Sequence, residues 1–271
     1  MIVESWLREK EGVLSAAGIA TARLDCLVLL EDVLRTDRTQ LLAHDDQELG
    51  SEQIAKLDSL IKRRANHEPL AYIRGKTEFY GRVFAITPAT LEPRPETETM
   101  VEMLKAKVIK RLSFSSVVDV GTGSGAIAVT VKLEHPELTV SATEINPEAL
   151  KVAKANAKKL EADIAFYQGN LLEPVPHLDE YIILANLPYV PDSHTINQAA
   201  MQEPKVAIFG GSDGLELYRE LFGQISELKS GPVVILTESL PFQHHGLATI
   251  ARHYGYIQEA SEDFIQLFVR G

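Results

Sequence analysis

Three stretches carry residue types and spacings that chemistry can use: Gly121-Thr122-Gly123-Ser124-Gly125, Glu144, and Asn186-Leu187-Pro188-Tyr189. The glycine run sits between an apolar strand pattern at 116–120 and a helix pattern beginning at Ala126. Glycines there let the backbone approach a ligand closely, with a helix N-terminus facing it. The spacing is G-x-G-x-G, not the G-x-G-x-x-G that packs on a pyrophosphate. Glu144 ends the next strand pattern, nineteen residues after Gly125, where a carboxylate can accept both hydroxyls of an adenosine ribose. A glycine turn and an acid without a phosphate cradle suit a nucleoside that carries no phosphate. That points to S-adenosylmethionine, with S-adenosylhomocysteine as product.

Two further stretches border this site. A short strand pattern at 165–167 ends in Gln168-Gly169-Asn170-Leu171, where Asn170 could bond the adenine edge and Leu171 pack on the ring. The apolar run 181–185 runs directly into Asn186, as a buried parallel strand ending in a loop would. An amide or aniline-like nitrogen is a poor nucleophile because its lone pair is delocalised. A site that accepts both N–H hydrogens, on the Asn186 side-chain oxygen and the Leu187 carbonyl, favours the pyramidal nitrogen that in-line attack requires. Pro188 would hold the turn, Tyr189 would pack on the substrate plane, and Asn186 would face cofactor and substrate together. Such orientation and charge-placement effects need no strong base, since the nitrogen becomes far more acidic once methylated. Arg94, held between prolines in Glu92-Pro93-Arg94-Pro95-Glu96-Thr97-Glu98, is a candidate substrate contact that a helix start does not explain. No metal is expected. The histidines lack ligand spacing, His244 and His245 being adjacent and His44 standing in a polar loop with Asp45 and Asp46.

The elements that must position these residues fall into three parts. Residues 1–70 read as a small helical bundle, with apolar three- and four-residue spacing through 22–34, a break at 37–40, and a second helix opened by Ser51. Trp6 would anchor the first helix, and Lys62-Arg63-Arg64 would lie on a solvated face. Residues 71–92 read as a β-hairpin linker, with glycines 75 and 81 between β-forming residues. Residues 93–271 alternate strand and helix, with further strands at 232–237 and 264–269 and helices at 214–228 and 245–253. Gly210-Gly211 reads as a turn, with Asp213 as a cap. Repeated βα order predicts an α/β fold with a mostly parallel sheet covered on both faces.

Composition narrows the function. Among 271 residues, 45% are hydrophobic and 24% charged, as in a globular protein, and no apolar run is long enough to span a bilayer. No secretory signal is visible at the N-terminus, and the lone Cys26 excludes an internal disulfide and reads as a buried helical thiol. A cytoplasmic enzyme with no membrane partner fits. A formal charge of −11 argues against a nucleic-acid partner, whose phosphates call for a basic surplus.

The glycine turn, Glu144, the Asn186 tetrapeptide and the 92–98 segment together resemble the HemK-type release factor glutamine methyltransferases. So do Ile61-Lys62-Arg63-Arg64, the segment 68–75, Glu78-Phe79-Tyr80-Gly81, Glu203-Pro204-Lys205-Val206-Ala207 and Gly211-Ser212-Asp213-Gly214-Leu215-Glu216-Leu217-Tyr218. The resemblance implies a Rossmann-like class I methyltransferase domain with a seven-stranded sheet, preceded by the helical domain and hairpin. It also implies methylation of the glutamine amide in the Gly-Gly-Gln motif of peptide chain release factors, with the helical domain helping to dock that protein. Two departures stand out. Leu187 replaces the family's usual first proline, which frees φ and adds a backbone N–H. Asn170 stands where an acid is common, and Thr237-Glu238-Ser239 replaces a more usual Glu-then-Gly ending. Leucine at position 187 also fits an alternative, an adenine-N6 RNA or DNA methyltransferase. A further alternative is a homologue that binds cofactor without turnover.

Overall fold

The computed structural model describes residues 1–109, 116–176 and 179–271. The chain divides into two compact units, Met1–Gly75 with Asn197–Gln202, and Lys76–Ile196 with Glu203–Gly271.

The first unit is helical: α1 (Val3–Ala16), α2 (Ala22–Leu34), α3 (Arg38–Ala43), α4 (Ser51–Ala65) and α5 (Leu70–Arg74). Trp6, Leu14, Leu30, Leu41 and Leu57 are fully buried in its core, and Cys26 is buried on α2. Four expectations change. Residues 37–40 start α3 rather than only breaking α2, because the Asp37 side chain accepts the Gln40 N–H at 2.9 Å. Ser51 lies in the first turn of α4, and Gly50 is the cap, its N–H held by Gln53 Oε1 at 2.9 Å. The basic triplet is not simply solvated: Arg64 is buried and bonds Asp25 at 2.6 Å, while Arg63 pairs with Glu68. Tyr72 to Arg74 are helical, since Ile73 adds to the helical core and Gly75, at φ +69°, ends the turn.

The second unit opens with the antiparallel hairpin β1 (Lys76–Phe79) and β2 (Arg82–Ala85), turning at Tyr80 and Gly81, both at positive φ. Phe79 and Phe84 meet edge to face and enter the core beside Met100 of α6 (Glu98–Met103). The rest is β3 (Ser116–Val120), α7 (Ala126–Glu134), β4 (Thr139–Glu144), α8 (Pro147–Lys159), β5 (Ile164–Gln168), β6 (Tyr181–Ala185), α9 (Glu216–Glu227), β7 (Val234–Glu238), α10 (His244–His253), β8 (Tyr256–Glu262) and β9 (Ile265–Arg270).

These strands make a seven-stranded sheet in the order β5-β4-β3-β6-β7-β9-β8. β5, β4, β3, β6 and β7 are parallel, and β9 and β8 are antiparallel. β6 is buried along its whole length, the pattern of a central parallel strand. β8 has no clear apolar alternation because only Tyr256 is buried on this edge strand, whose pairing is bulged between Gln258 and Ala260. The fold is a class I methyltransferase fold.

Candidate active site

Strand register brings the sequence-distant residues together. Val120 lies opposite Thr143 of β4 and Ala185 of β6, so Gly121, Glu144 and Asn186 leave the same sheet edge from three adjacent strands. The chain returns from β5 to place β6 on the other side of β3. A crevice at such a reversal, outside the carboxyl ends of parallel strands, is where α/β sheets take ligands. A cavity of about 370 Å³ opens there.

Gly121, Gly123 and Gly125 all have positive φ, so the turn needs glycines for its own path. Gly121 also faces Leu187, whose Cδ2 lies 3.0 Å from where a Cβ would sit. Gly125 packs toward Ala153 of α8 and is not on the cavity wall, unlike Gly121, Thr122, Gly123 and Ser124. Glu144 Oε2 accepts the Gly123 N–H and Oε1 the Asn146 N–H, both at 2.9 Å. Among the described residues, Glu144 is the only ionisable side chain lining the cavity. The wall therefore offers no cation to a phosphate, and one carboxylate to a hydroxylated or positively charged ligand.

Beneath the turn lies Asp119, which accepts hydrogen bonds from the Thr122 hydroxyl at 2.5 Å and the Ala128 N–H at 3.2 Å. Burial pushes its carboxyl up to about 7, against those two bonds. Asn156 of α8 ties the turn to the hairpin, donating to Ser124 O at 2.8 Å and Ala85 O at 3.0 Å and accepting the Ala85 N–H at 2.7 Å.

Asn186, Leu187 and Pro188 line the cavity, and Tyr189 does not. Asn186 Nδ2 donates to Thr97 Oγ1 at 3.1 Å, and the Tyr189 hydroxyl donates to Glu238 Oε1 at 3.0 Å. Burial raises the proton affinity of Glu238, while bonds from Thr97, Tyr189 and Asn186 oppose it. The N–H that Leu187 adds is not orphaned: it donates to the Tyr218 hydroxyl at 3.3 Å, which in turn donates to Glu238 O at 2.5 Å. From behind, Gln243 Nε2 holds Tyr189 O at 2.7 Å. A Cβ on Gly210 or Gly214 would strike Pro188 O or Tyr189 O, so the Gly210-Gly211 stretch is a close-packed brace as well as a turn. Asp213 accepts the Leu215 N–H at 3.0 Å, just ahead of α9.

Two other candidates face differently from the expectation. Arg94 is off the cavity wall and bonds Glu203 Oε1 at 2.5 Å, because the buried Glu203 carboxylate needs a cation; Glu203 Oε2 also accepts the Glu92 N–H at 3.1 Å. Asn170 and Leu171 both line the cavity, but the Asn170 amide nitrogen is turned to Glu220 at 2.5 Å. Thr97 and Tyr218 lie in segments that carry the family resemblance, though no role is read there for either, and Asp119 and Asn156 carry no motif signal. Asn156 had one hint, falling on the buried Ala149, Ala153, Ala157 face of α8. No group of three or more His, Cys, Asp or Glu able to hold a metal occurs among the described residues.

Comparisons with known proteins agree on a family. Residues 5–75 match the PrmC N-terminal domain, and residues 95–205 match the methyltransferase small domain. A Koribacter versatilis release factor glutamine methyltransferase is 40% identical over 80% of this chain and 79% of its own length. One from Deinococcus radiodurans is 32% identical over 100% of this chain and 98% of its own. The hMettl16 catalytic domain, solved with the MAT2A 3'UTR hairpin 1, superposes with a TM-score of 0.54 at 13% identity, over 90% of each chain, and shows the fold alone. With relatives at this identity over most of its length, the chain belongs to the release factor glutamine methyltransferase family.

Proposed function

We propose that this protein transfers the methyl group of S-adenosylmethionine to the side-chain amide nitrogen of the glutamine in the Gly-Gly-Gln motif of peptide chain release factors. The observation that carries the reading is the register that sets Asn186 beside the glycine turn and Glu144 around one cavity. The cofactor fits this cavity on the chemistry of its wall, where a single carboxylate and no cation suit a nucleoside sulfonium rather than a phosphate. Gly121 to Ser124 and Glu144 would hold it, with Gly125 closing the turn against α8, and Asn170 and Leu171 would border its base. When bound, it supplies an electrophilic methyl group.

The protein's own residues then orient the nucleophile. The Asn186 side-chain oxygen and the Leu187 carbonyl accept the two amide hydrogens, Pro188 keeps the turn, and Tyr189 packs beside the glutamine. Water excluded from the cavity strengthens both bonds. Arg94 acts here as a latch between residues 92–95 and Glu203 rather than as a direct substrate contact. The helical unit helps to dock the release factor, and a reaction on translation factors belongs in the cytoplasm. No helix is long and apolar enough to cross a membrane among the described residues.

Labelled S-adenosylmethionine, offered with either a release factor or ribosomal RNA, tests the reading. Label is expected in the release factor and at its Gly-Gly-Gln glutamine. Label only in RNA would favour adenine methylation, and cofactor binding without transfer to any release factor would favour an inactive homologue.

A further inference from the structure

An asparagine amide can serve as acceptor or donor depending on which way it is turned. For the role proposed above, the Asn186 oxygen must face the cavity and its nitrogen must face away. Thr97 alone does not decide this, because a hydroxyl can donate to the oxygen as readily as it accepts from the nitrogen. Glu238 does. Its carboxylate, buried at the end of β7 and set beside Asn186 by strand register, is acceptor-only when ionised, the form that Thr97, Tyr189 and Asn186 favour and burial opposes. Tyr189 donates to its Oε1, while Oε2 has no closely aligned partner of its own among the described residues. An acceptor on that side attracts N–H and O–H hydrogens and repels the amide oxygen. Thr97 can then turn its hydrogen to Glu238 and keep a lone pair for Asn186 Nδ2, the 3.1 Å bond observed.

We infer that Thr97 and Glu238 are positioning residues that lock the Asn186 amide with its oxygen toward the substrate. This rests on the proposed glutamine methylation. It also gives the 92–98 segment a role: its prolines and the Arg94–Glu203 bond fix the turn Pro95–Thr97, which carries Thr97 to the site. Register supplies the other half, since Thr237 pairs with Ala185 and so Glu238 stands beside Asn186.

The test is steady-state methylation of a release factor by the full chain. Thr97→Val should lower kcat at least about tenfold, as misplaced acceptors do, with the KM for S-adenosylmethionine changed less than about twofold. Thr97→Ser should restore most of kcat, and Glu238→Gln, of nearly equal size but able to donate, should lower it like Thr97→Val. The inference is overturned if Thr97→Val and Glu238→Gln keep kcat within about twofold of the parent, or if Thr97→Ser fails as badly as Thr97→Val while all remain folded. If the parent methylates no release factor, the functional reading fails instead. The amide orientation is then read by NMR, from a contact between the Asn186 Nδ2 hydrogens and the Thr97 side chain, whose absence overturns it.

Discussion

Leu187 shows how one residue departs from a family pattern without leaving a defect. A proline there would fix φ and have no N–H to satisfy. Leucine has an N–H, buried here, and an unpaired buried donor costs about 1–3 kcal/mol. The Tyr218 hydroxyl accepts it and at the same time joins the ends of β6 and β7. Tyr218→Phe is therefore expected to lower both stability and kcat. In a Leu187→Pro background, where that N–H no longer exists, the same change should cost less. Kinetics and denaturant melts of the four proteins form a double-mutant cycle, and additive effects would show that the two residues are not coupled. Asn186→Ala makes a separate case. Transfer should fall about 100-fold or more, while calorimetry finds nearly unchanged cofactor affinity because the turn and Glu144 remain. A parallel loss of cofactor binding would mean that Asn186 serves the cofactor more than the substrate.

At the scale of elements, β3 carries a group whose protonation depends on folding. The Asp119 carboxyl titrates near 3.8 when exposed and near 7 when buried under the glycine turn. Between those values the folded state holds more protons than the unfolded one, so stability falls as pH rises from about 4 to 7 and then levels off. The upper bound on this contribution is about 4 kcal/mol. Asp119→Asn keeps an acceptor for Thr122 and Ala128 but has no charge. Urea melts across this pH range should show a flatter profile and a more stable protein above pH 7 than the parent; an unchanged slope would assign the effect elsewhere. The elements themselves were legible wherever a residue's own pattern dictates its burial: β6, α2 and the G-x-G-x-G turn all read directly. β8 was not, because an edge strand with one buried residue has no period to detect. Seven-strandedness came from the family resemblance instead. Arg94 was singled out by its flanking prolines, but its partner Glu203 lies 109 positions away, and no local spacing announces such a pair. The roles of Thr97, Asn156 and Tyr218 were hidden for the same reason, even though Thr97 and Tyr218 lie in segments that carry the resemblance, since each acts through contacts that exist only after the sheet has formed.

At the scale of the molecule, two sets of buried side chains stabilise two units. The helical unit has its own core around Trp6, Leu30 and Leu57, while the sheet is packed by separate apolar clusters on its two sides. Substrate docking, proposed for the helical unit, and methyl transfer, proposed for the sheet unit, would then respond independently to perturbation. Arg64 and Asp25 form a buried pair within the helical unit, and removing one partner of such a pair costs about 3–5 kcal/mol. S-adenosylmethionine at about 100 times its Kd would add about 2.7 kcal/mol, and only to the unit that binds it. Differential scanning calorimetry should therefore separate the two. Arg64→Ala is expected to lower one transition and raise the KM for release factor while leaving cofactor affinity alone, and cofactor is expected to raise the other transition in parent and variant alike. A single transition moved equally by both perturbations would mean that the units fold and bind as one.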